Sequence, residues 1–352
     1  MPTLRWEPLE SLARAIFDAI HVPPTGAAWM AKLLVRANLR GHDSHGMIRV
    51  PQYVTSWKKG EADPKAEPVV VQEGPATALV DGKRGFGQIV ARKGMEVAMA
   101  KAAAIGVSAV GVHNGNHIGR LADYTEMALE RDMLAILAVN AAGAGQRMAP
   151  WGGRAARLST NPFAFACPTG SDVPISFDVA TTVAAEGKVR LKRNRKEQTP
   201  PGWLLDAEGK PTTDPNDLYG KPEGSILPVG GHKGYSLALM VEVLGGIVAR
   251  AGYSRENPGP VLNGLFMVVV DIGRFVSPKN FRAEVDDLIR YLKTSPPVQA
   301  GGEILYPGEP EARTEAERRQ KGIFIEDETW GQIEQAARDL GVSVPAWKNS
   351  GD

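Results

Sequence analysis

The chain has 352 residues, and its 41 basic and 40 acidic side chains leave a formal net charge of +1. That length buries a large core and predicts two or more subdomains. The absence of any long run of one charge argues against nucleic acid or an acidic membrane surface as a partner. No stretch is long and apolar enough to span a bilayer, the start Met1–Trp6 lacks the apolar run of a signal peptide, and the one cysteine, Cys167, excludes an intramolecular disulfide. A soluble, cytoplasmic protein is expected, with Cys167 an inert buried thiol rather than a nucleophile.

Residues 7 to 40 carry two helical stripes, Leu9, Leu12, Ala13, Ile16 and Ile20, then Ala28 to Leu39, parted by Pro23-Pro24. A polar insert follows, Gly41-His42-Asp43-Ser44-His45-Gly46-Met47-Ile48-Arg49. Residues 67 to 81 alternate as strands do and stop at the turn signal Asp81-Gly82. A helix near 90 to 104 leads into a strand before His113. Met133 to Val139, Phe163 to Cys167 and Ile175 to Phe177 read as strands, and Gly143 to Gly153 as loop. Ala184 to Arg193 reads as a helix. Residues 194 to 229, rich in Pro, Gly and Asp, form either a long ordered loop or lid, or a structureless linker. A helix over 235 to 249 is opened by Gly230-Gly231-His232-Lys233-Gly234, and Leu265 to Val270 is a buried strand. Polar helices near 278 to 293, 309 to 321 and 326 to 340 close the chain. Alternating strands and helices through the middle make the class α/β with helical ends.

The chain is organised around Ala109 to Tyr124. It reads as a buried strand, a turn loosened by Gly115 and Gly119, and the start of a helix. Such a turn sits at the carboxyl edge of a sheet, where ligands bind. His113, His117 and Arg120 are therefore functional candidates, or the histidines merely hydrogen-bond the turn. The G-x-G-x-x-G fingerprint is absent: Gly85-Phe86-Gly87-Gln88 and Gly143-Ala144-Gly145-Gln146 each lack the third glycine, and no Walker A motif occurs. The pairs His42/His45 and His113/His117 have helical spacing, but Asn114 and Gly115 make the second pair a turn, and no metal is expected. Ser44-His45 with Arg49 carries better chemistry. The histidine can move a proton, the serine can share its hydrogen bond, and the arginine can grip a carboxylate. The competing reading is that Asp43 or Ser44 caps a helix over Gly46 to Tyr53. Asp178-Val179-Ala180-Thr181-Thr182 follows a strand, so its amides could meet a phosphate or ribose. Lys188 and Lys233 add positive charge there or are solvated.

In this order the pieces resemble the type-2 malate/L-lactate dehydrogenase family, non-Rossmann NAD(P)-dependent oxidoreductases unrelated to the familiar lactate dehydrogenases. The matching residues are Ser44-His45-Gly46 with Arg49, Asn116-His117-Ile118-Gly119, Ala149-Pro150-Trp151-Gly152-Gly153, Thr160-Asn161-Pro162, Asp178-Val179-Ala180-Thr181, Gly187-Lys188, Gly231-His232-Lys233-Gly234-Tyr235 and Pro307-Gly308-Glu309. They span about residues 10 to 325, and their joint specificity is high. His117 to Leu121 and Thr212-Thr213-Asp214-Pro215 look most like the bacterial hydroxycarboxylate dehydrogenase branch.

The resemblance implies a non-Rossmann nicotinamide-binding domain on a mixed sheet, residues 76–274. It also implies a helical substrate and dimerisation domain from both chain ends, 1–75 with 275–352, and a homodimer. It implies hydride transfer between NAD or NADP, with NAD preferred, and a 2-oxo or 2-hydroxy acid. By that likeness His45 is the proton donor supported by Ser44, and Arg49 with Tyr53 holds the substrate. His117 lies at the nicotinamide end and Lys188 belongs to the catalytic group. Gly119, Arg120, Leu121, Asn140, Thr160, Asp178, Val179, Ala180, Thr181, Thr182, His232, Lys233, Asn263, Pro307, Gly308 and Glu309 line the cofactor. Two departures stand out. Ala141 replaces a serine found in many members, and Lys188 stands where the imine-reducing branch has an aspartate, which argues against imine reduction. The alternatives are a cyclic-imine reductase or ureidoglycolate-type dehydrogenase of the same family, and, less favoured, a non-redox binding protein or metal hydrolase. Arg120, Arg190 and Lys192 either meet a 2′-phosphate or are solvated. The small residues Ala238, Gly245, Gly246 and Ala249 either pack on a partner subunit or are buried within one chain.

Overall fold

A computed structural model describes residues 3–142, 145–255 and 262–344, so Gly143 and Ala144 of the glycine loop lie outside the described residues. Strand β1 (Thr3–Leu4) leads into α1 (Trp6–Ala19), whose apolar stripe is buried. Pro24 opens α2 (Pro24–Leu39) at a position where its missing N–H has no helical partner to lose. Then come α3 (Val50–Lys58), β2 (Val69–Glu73), β3 (Thr77–Asp81), α4 (Gly87–Ile105) and β4 (Val107–Gly115). The short α5 (Ala122–Thr125) precedes β5 (Met133–Ala142), β6 (Phe163–Cys167) and β7 (Ile175–Val179). Helix α6 (Glu186–Asn194) is followed by β8 (Leu204–Leu205), β9 (Pro211–Thr212) and β10 (Ser225–Ile226). Helix α7 (His232–Val241), β11 (Leu262–Asp271), α8 (Pro278–Lys293), α9 (Glu309–Lys321), β12 (Ile323–Phe324) and α10 (Asp327–Asp339) complete the chain.

Seven strands form one mixed sheet in the order β2-β3-β4-β11-β5-β6-β7. Only β3 and β4 run parallel, joined by the crossover helix α4; the other neighbours are antiparallel. A doubly wound sheet needs a crossover helix between every pair of parallel strands, which explains why the dinucleotide fingerprint is missing. The late strand β11 enters the centre and sets Asn263 opposite both Gly115 and Ala141. Leu265, Met267 and Val269 on β11 share one core with Val90, Ala91, Met95 and Ala98 of α4.

A second core joins the chain ends. Leu9, Ile16, Met30, Leu34, Val50 and Val54 pack with Trp330 and Ile333 of α10, and β1 pairs with β12. The segment 194–229 is ordered: β10-β8-β9 form a small antiparallel sheet over Val189, Leu204, Leu218 and Ile226. Where one helix over 235–249 is expected, α7 gives way at Glu242 to a π-helical turn through Val248. The buried Glu242 carboxylate is the cause we see, since it accepts bonds from Asn161, Ser254 and Asn140. Gly245 and Gly246 press on the backbones of Gly264 and Gly252, with no room for a Cβ. The small-residue stripe is thus buried within one chain. Among the described residues no helix is long and apolar enough to cross a membrane.

Candidate active site

The polar insert folds as two 3-10 turns, Asp43–His45 and Met47–Arg49. Buried Asn38 shapes them: its Oδ1 accepts Met47 N–H at 2.8 Å and its Nδ2 donates to Asp43 at 2.7 Å. A Cβ on Gly46 would collide with that amide. Helix α9 braces the loop from outside. Arg318 donates to both Asp43 oxygens at 2.6 and 3.0 Å, Arg40 donates to Glu315 at 2.9 Å, and His42 lies 3.7 Å from Glu311. The capping expectation therefore fails. Neither Asp43 nor Ser44 caps a helix, because Asp43 is taken by a charge-assisted bond to Arg318 and Ser44 Oγ lies 3.1 Å from His45 Nδ1.

The second histidine arrives on the turn after β4. Gly87 at the start of α4 packs directly on the Asn116 and His117 carbonyls, which fixes that turn. The His45 and His117 rings stack at 5.6 Å and 11°. Tyr53 hydroxyl lies 2.9 Å from His117 Nδ1 and receives a 2.6 Å bond from Gln88 Nε2. Arg49 donates to the Ser44 carbonyl at 2.6 Å and to Gln52 Oε1 at 2.7 Å. Among the described residues no carboxylate pairs with it. Burial, with the charges of Arg49, His42 and Arg120, pushes His45 down to about 3. Burial and Arg49 hold His117 well below the usual histidine range, and burial pushes Tyr53 up to about 12. The site thus presents two neutral imidazoles beside one guanidinium that forms no ion pair among the described residues and feels Glu186 only at longer range. His113, by contrast, lies on β4 opposite Asp81 and is absent from this stack.

The segments expected to line a cofactor meet at the same sheet end. Asp178 accepts the Leu121 N–H at 2.6 Å and the Ala122 N–H at 3.4 Å, and Asn263 Oδ1 accepts the Ile118 N–H at 3.1 Å. Strands β7 and β11 so pin the turn at Gly119, where φ is +81°. Thr181 donates to the Thr160 carbonyl through N–H and hydroxyl, and its own carbonyl receives Val229 N–H at 2.9 Å. That joins Thr160 and 178–182 to Gly230-Gly231 and the exposed His232 and Lys233. Pro307 carbonyl accepts Ser176 N–H at 3.0 Å, so 307–309 borders β7. Lys188 is exposed, next to Gly187, whose Cβ position is 3.2 Å from Ser44 Cβ.

Two side chains turn elsewhere. Asn140 is one residue out of phase with Asn263 and leaves by the other sheet face, donating to the Gly252 carbonyl at 2.8 Å. The Arg120 guanidinium is buried between Asp123 at 2.8 Å and Glu126 at 3.1 Å, so it is neither solvated nor open to a phosphate. Arg190 and Lys192 pair with Glu186 and Glu197, each at 2.6 Å. Sequence reading missed Asn38, Gln52 and Gln88. The signal for Gln88 is the Gly85-Phe86-Gly87-Gln88 run, which by itself reads as an incomplete nucleotide motif. Among the described residues no group of three His, Cys, Asp or Glu could hold a metal.

The mixed sheet, the lobe built from both chain ends and the histidine pair define a dehydrogenase of the non-Rossmann kind. The chain belongs to the malate/L-lactate dehydrogenase family, whose model matches residues 4–334. It is similar to the L-sulfolactate dehydrogenase of Methanocaldococcus jannaschii, 38% identical over 95% of this chain and 97% of that one. It is also similar to hydroxycarboxylate dehydrogenase B of Escherichia coli O157:H7, 35% identical over 95% and 93%. A putative malate/lactate dehydrogenase structure from E. coli superposes with a TM-score of 0.92, at 34% identity, covering 97% of this chain and 96% of that one. A δ1-piperideine-2-carboxylate reductase from Pseudomonas syringae gives 0.85, at 28% identity, over 96% and 100%. The resemblance read from the motifs is thereby shown. The protein is an oxidoreductase, a hydroxy-acid dehydrogenase of a family that uses nicotinamide cofactors.

Proposed function

We propose that Arg49, His45 and His117 are the working residues of this dehydrogenase, acting on a 2-oxo acid in one direction and a 2-hydroxy acid in the other. The observation that carries the reading is Arg49, which among the described residues bonds the neutral oxygens of Ser44 and Gln52, feels the Glu186 carboxylate without pairing with it, and is set beside two neutral histidines. A half-buried guanidinium with no ion pair among the described residues is open to an anionic ligand, and a substrate carboxylate offers the bidentate partner a guanidinium fits. In the oxidation direction the neutral His45 imidazole accepts the hydroxyl proton, with Ser44 on its other nitrogen. In the reduction direction His45 must first be charged, and a bound carboxylate favours that by cancelling Arg49. His117 borders the nicotinamide end, Tyr53 holds it, and Lys188 adds positive charge from α6.

A nicotinamide dinucleotide fits the residues present. Gly119, Gly230 and Gly231 take positive φ, leaving backbone free of side chains, and Lys233 stands exposed at the start of α7. Gly119, Leu121, Thr160, Asp178 to Thr182, His232, Lys233, Asn263 and Pro307 to Glu309 would hold it; Arg120 and Asn140 would contribute backbone only. The cofactor supplies the hydride, and the chain supplies position and charge. NAD is the preferred form, because the Arg120 side chain is spent on carboxylates.

A homodimer belongs to the same reading. Leu239, Met240, Val243, Ile247 and Val248 are exposed along α7 and its π turn, and α8 buries no residue while Leu288, Tyr291 and Leu292 stand exposed. Apolar faces of this kind suit a two-fold contact. The two larger cores support a division into 1–75 with 275–352 and 76–274, and the lone buried Cys167 suits a cytoplasmic setting. The reductase neighbour keeps cyclic-imine reduction as the second reading, opposed by Lys188. A panel of 2-oxo acids and cyclic imines, followed by NADH and NADPH oxidation, tests the choice. Turnover of oxo acids is expected; turnover of cyclic imines alone would replace it.

A further inference from the structure

Gln88 is one of the most deeply buried polar residues at this end of the sheet, 1% exposed on the first turn of α4. Its backbone is fixed: Trp29 Nε1 donates to its carbonyl at 3.1 Å, and Gly87 beside it packs on the His117 carbonyl. Its amide makes one described bond, from Nε2 to Tyr53 hydroxyl at 2.6 Å, and no described residue bonds its buried Oε1. Within the chain, then, a buried amide is held by a single bond, a small return for a polar side chain in the interior. An apolar side chain of that size would fill the same space. The residue is therefore poorly explained as a stabilising element.

Its one bond ends on the site. Tyr53 hydroxyl has one proton to give and sits between Gln88 Nε2 and His117 Nδ1. A hydroxyl that receives the Gln88 N–H directs its own proton at His117 Nδ1. A neutral His117 so held must carry its proton on Nε2. With the amide turned half a rotation, Oε1 would take the tyrosine proton, the hydroxyl oxygen would accept from His117 Nδ1–H, and Nε2 would become an acceptor. With Nε2 assigned toward Tyr53 the amide makes His117 Nδ1 an acceptor, and the reversed amide would make it a donor. Gly119 borders the same amide, its Cβ position 3.7 Å from Nε2.

We propose that Gln88 is a positioning residue that, through Tyr53, fixes His117 as the tautomer carrying its proton on Nε2. The rate consequence rests on the dehydrogenase reading above, whereas the tautomer does not. Nitrogen-15 NMR of histidine-labelled full-length protein reads it directly, with a His117→Gln spectrum to assign the signal among the six histidines. The parent should show a protonated Nε2 and an unprotonated Nδ1. Gln88→Met should keep or raise the melting temperature and mix the two tautomers. It should also lower kcat on the order of 10- to 100-fold, the usual weight of a partner that orients a working histidine, with KM for the oxo acid little changed. Tyr53→Phe should mix the tautomers in the same way, which keeps the test open should Gln88→Met misfold. A parent signal with the proton on Nδ1, or an unchanged tautomer in folded Gln88→Met or Tyr53→Phe, would overturn the assignment.

Discussion

Two arginines separated by a few side chains live in opposite electrostatic settings. Arg120 is buried within a balanced network in which Arg36, Arg40 and Arg120 face Asp123, Glu126 and Glu315, with Ser176 also bonded to Glu126. Burial opposes its charge, but Asp123, Glu126 and Asp178 outweigh that and raise its pKa. Arg49 is bonded to a carbonyl and an amide oxygen and to no described carboxylate, and burial lowers its pKa. The first arrangement pairs each guanidinium with a carboxylate of the same chain and holds α2, α5 and α9 together. The second has no carboxylate partner among the described residues and sits beside two histidines held neutral by burial first and by the same guanidinium second. On the proposed reading, the arginine paired by its own chain is structural and the unpaired one receives the substrate anion.

The largest effect should fall on rate at the unpaired side. His45→Ala is expected to lose about 10²–10⁴-fold in kcat, the share of a positioned proton donor, with melting temperature near that of the parent. Steady-state kinetics on folded protein check this; an active His45→Ala with a dead His117→Ala would transfer the role to His117. Next comes the balanced side. Glu126→Gln leaves three arginines short of a charge and should cost about 3–5 kcal/mol of stability, read by urea unfolding. Arg49→Gln should cost under about 1 kcal/mol by the same measurement, since it strands no carboxylate; comparable losses in both variants would erase the contrast.

Acid unfolding sharpens it further. The folded His45 and His117 are held below their ordinary value of 6.5. Below that pH the unfolded chain binds protons that the folded chain does not, so their stabilisation is whole above 6.5 and shrinks as pH falls, toward 3 for His45. Burial alone would raise Glu126, but Arg120, Arg36 and Arg40 hold it down, to about 2. Its contribution is present above 4.5 and is lost only as pH falls toward 2. Stability against pH should therefore decline in two stages, the upper one missing in His45→Gln/His117→Gln and the lower one in Glu126→Gln. The smallest effect is expected at the exposed Arg190–Glu186 pair, where Arg190→Ala should change stability by less than about 0.5 kcal/mol.

Much of the scaffold was legible because it is local. The stripe Leu9 to Ile20, the proline break at Pro23-Pro24 and the apolar runs at Met133 and Phe163 write their elements in a window of a few residues. The site loop was legible as chemistry, Ser44-His45 with Arg49, but not as geometry. Asp43 looks like a helix cap until Arg318, 275 residues later, takes its carboxylate. The same holds for Arg120, which reads as a solvated or phosphate-facing cation until Asp123 and Glu126 close on it. Central insertion of β11, the π turn at Glu242 and the Gln88 bond to Tyr53 all depend on pairings across the fold, and no local period records them.

The central claim is that Arg49 is the carboxylate anchor. Its most direct test is a cycle that pairs Arg49→Gln with loss of the charge on the substrate: kcat/KM for a 2-oxo acid and for its uncharged 2-oxo amide, in parent and variant, at fixed NADH. In the parent the amide should be slower by on the order of 10²-fold, the scale of losing one partner of a buried charge pair. In Arg49→Gln acid and amide should differ by no more than a few-fold. An undiminished preference for the acid in folded Arg49→Gln would contradict the account.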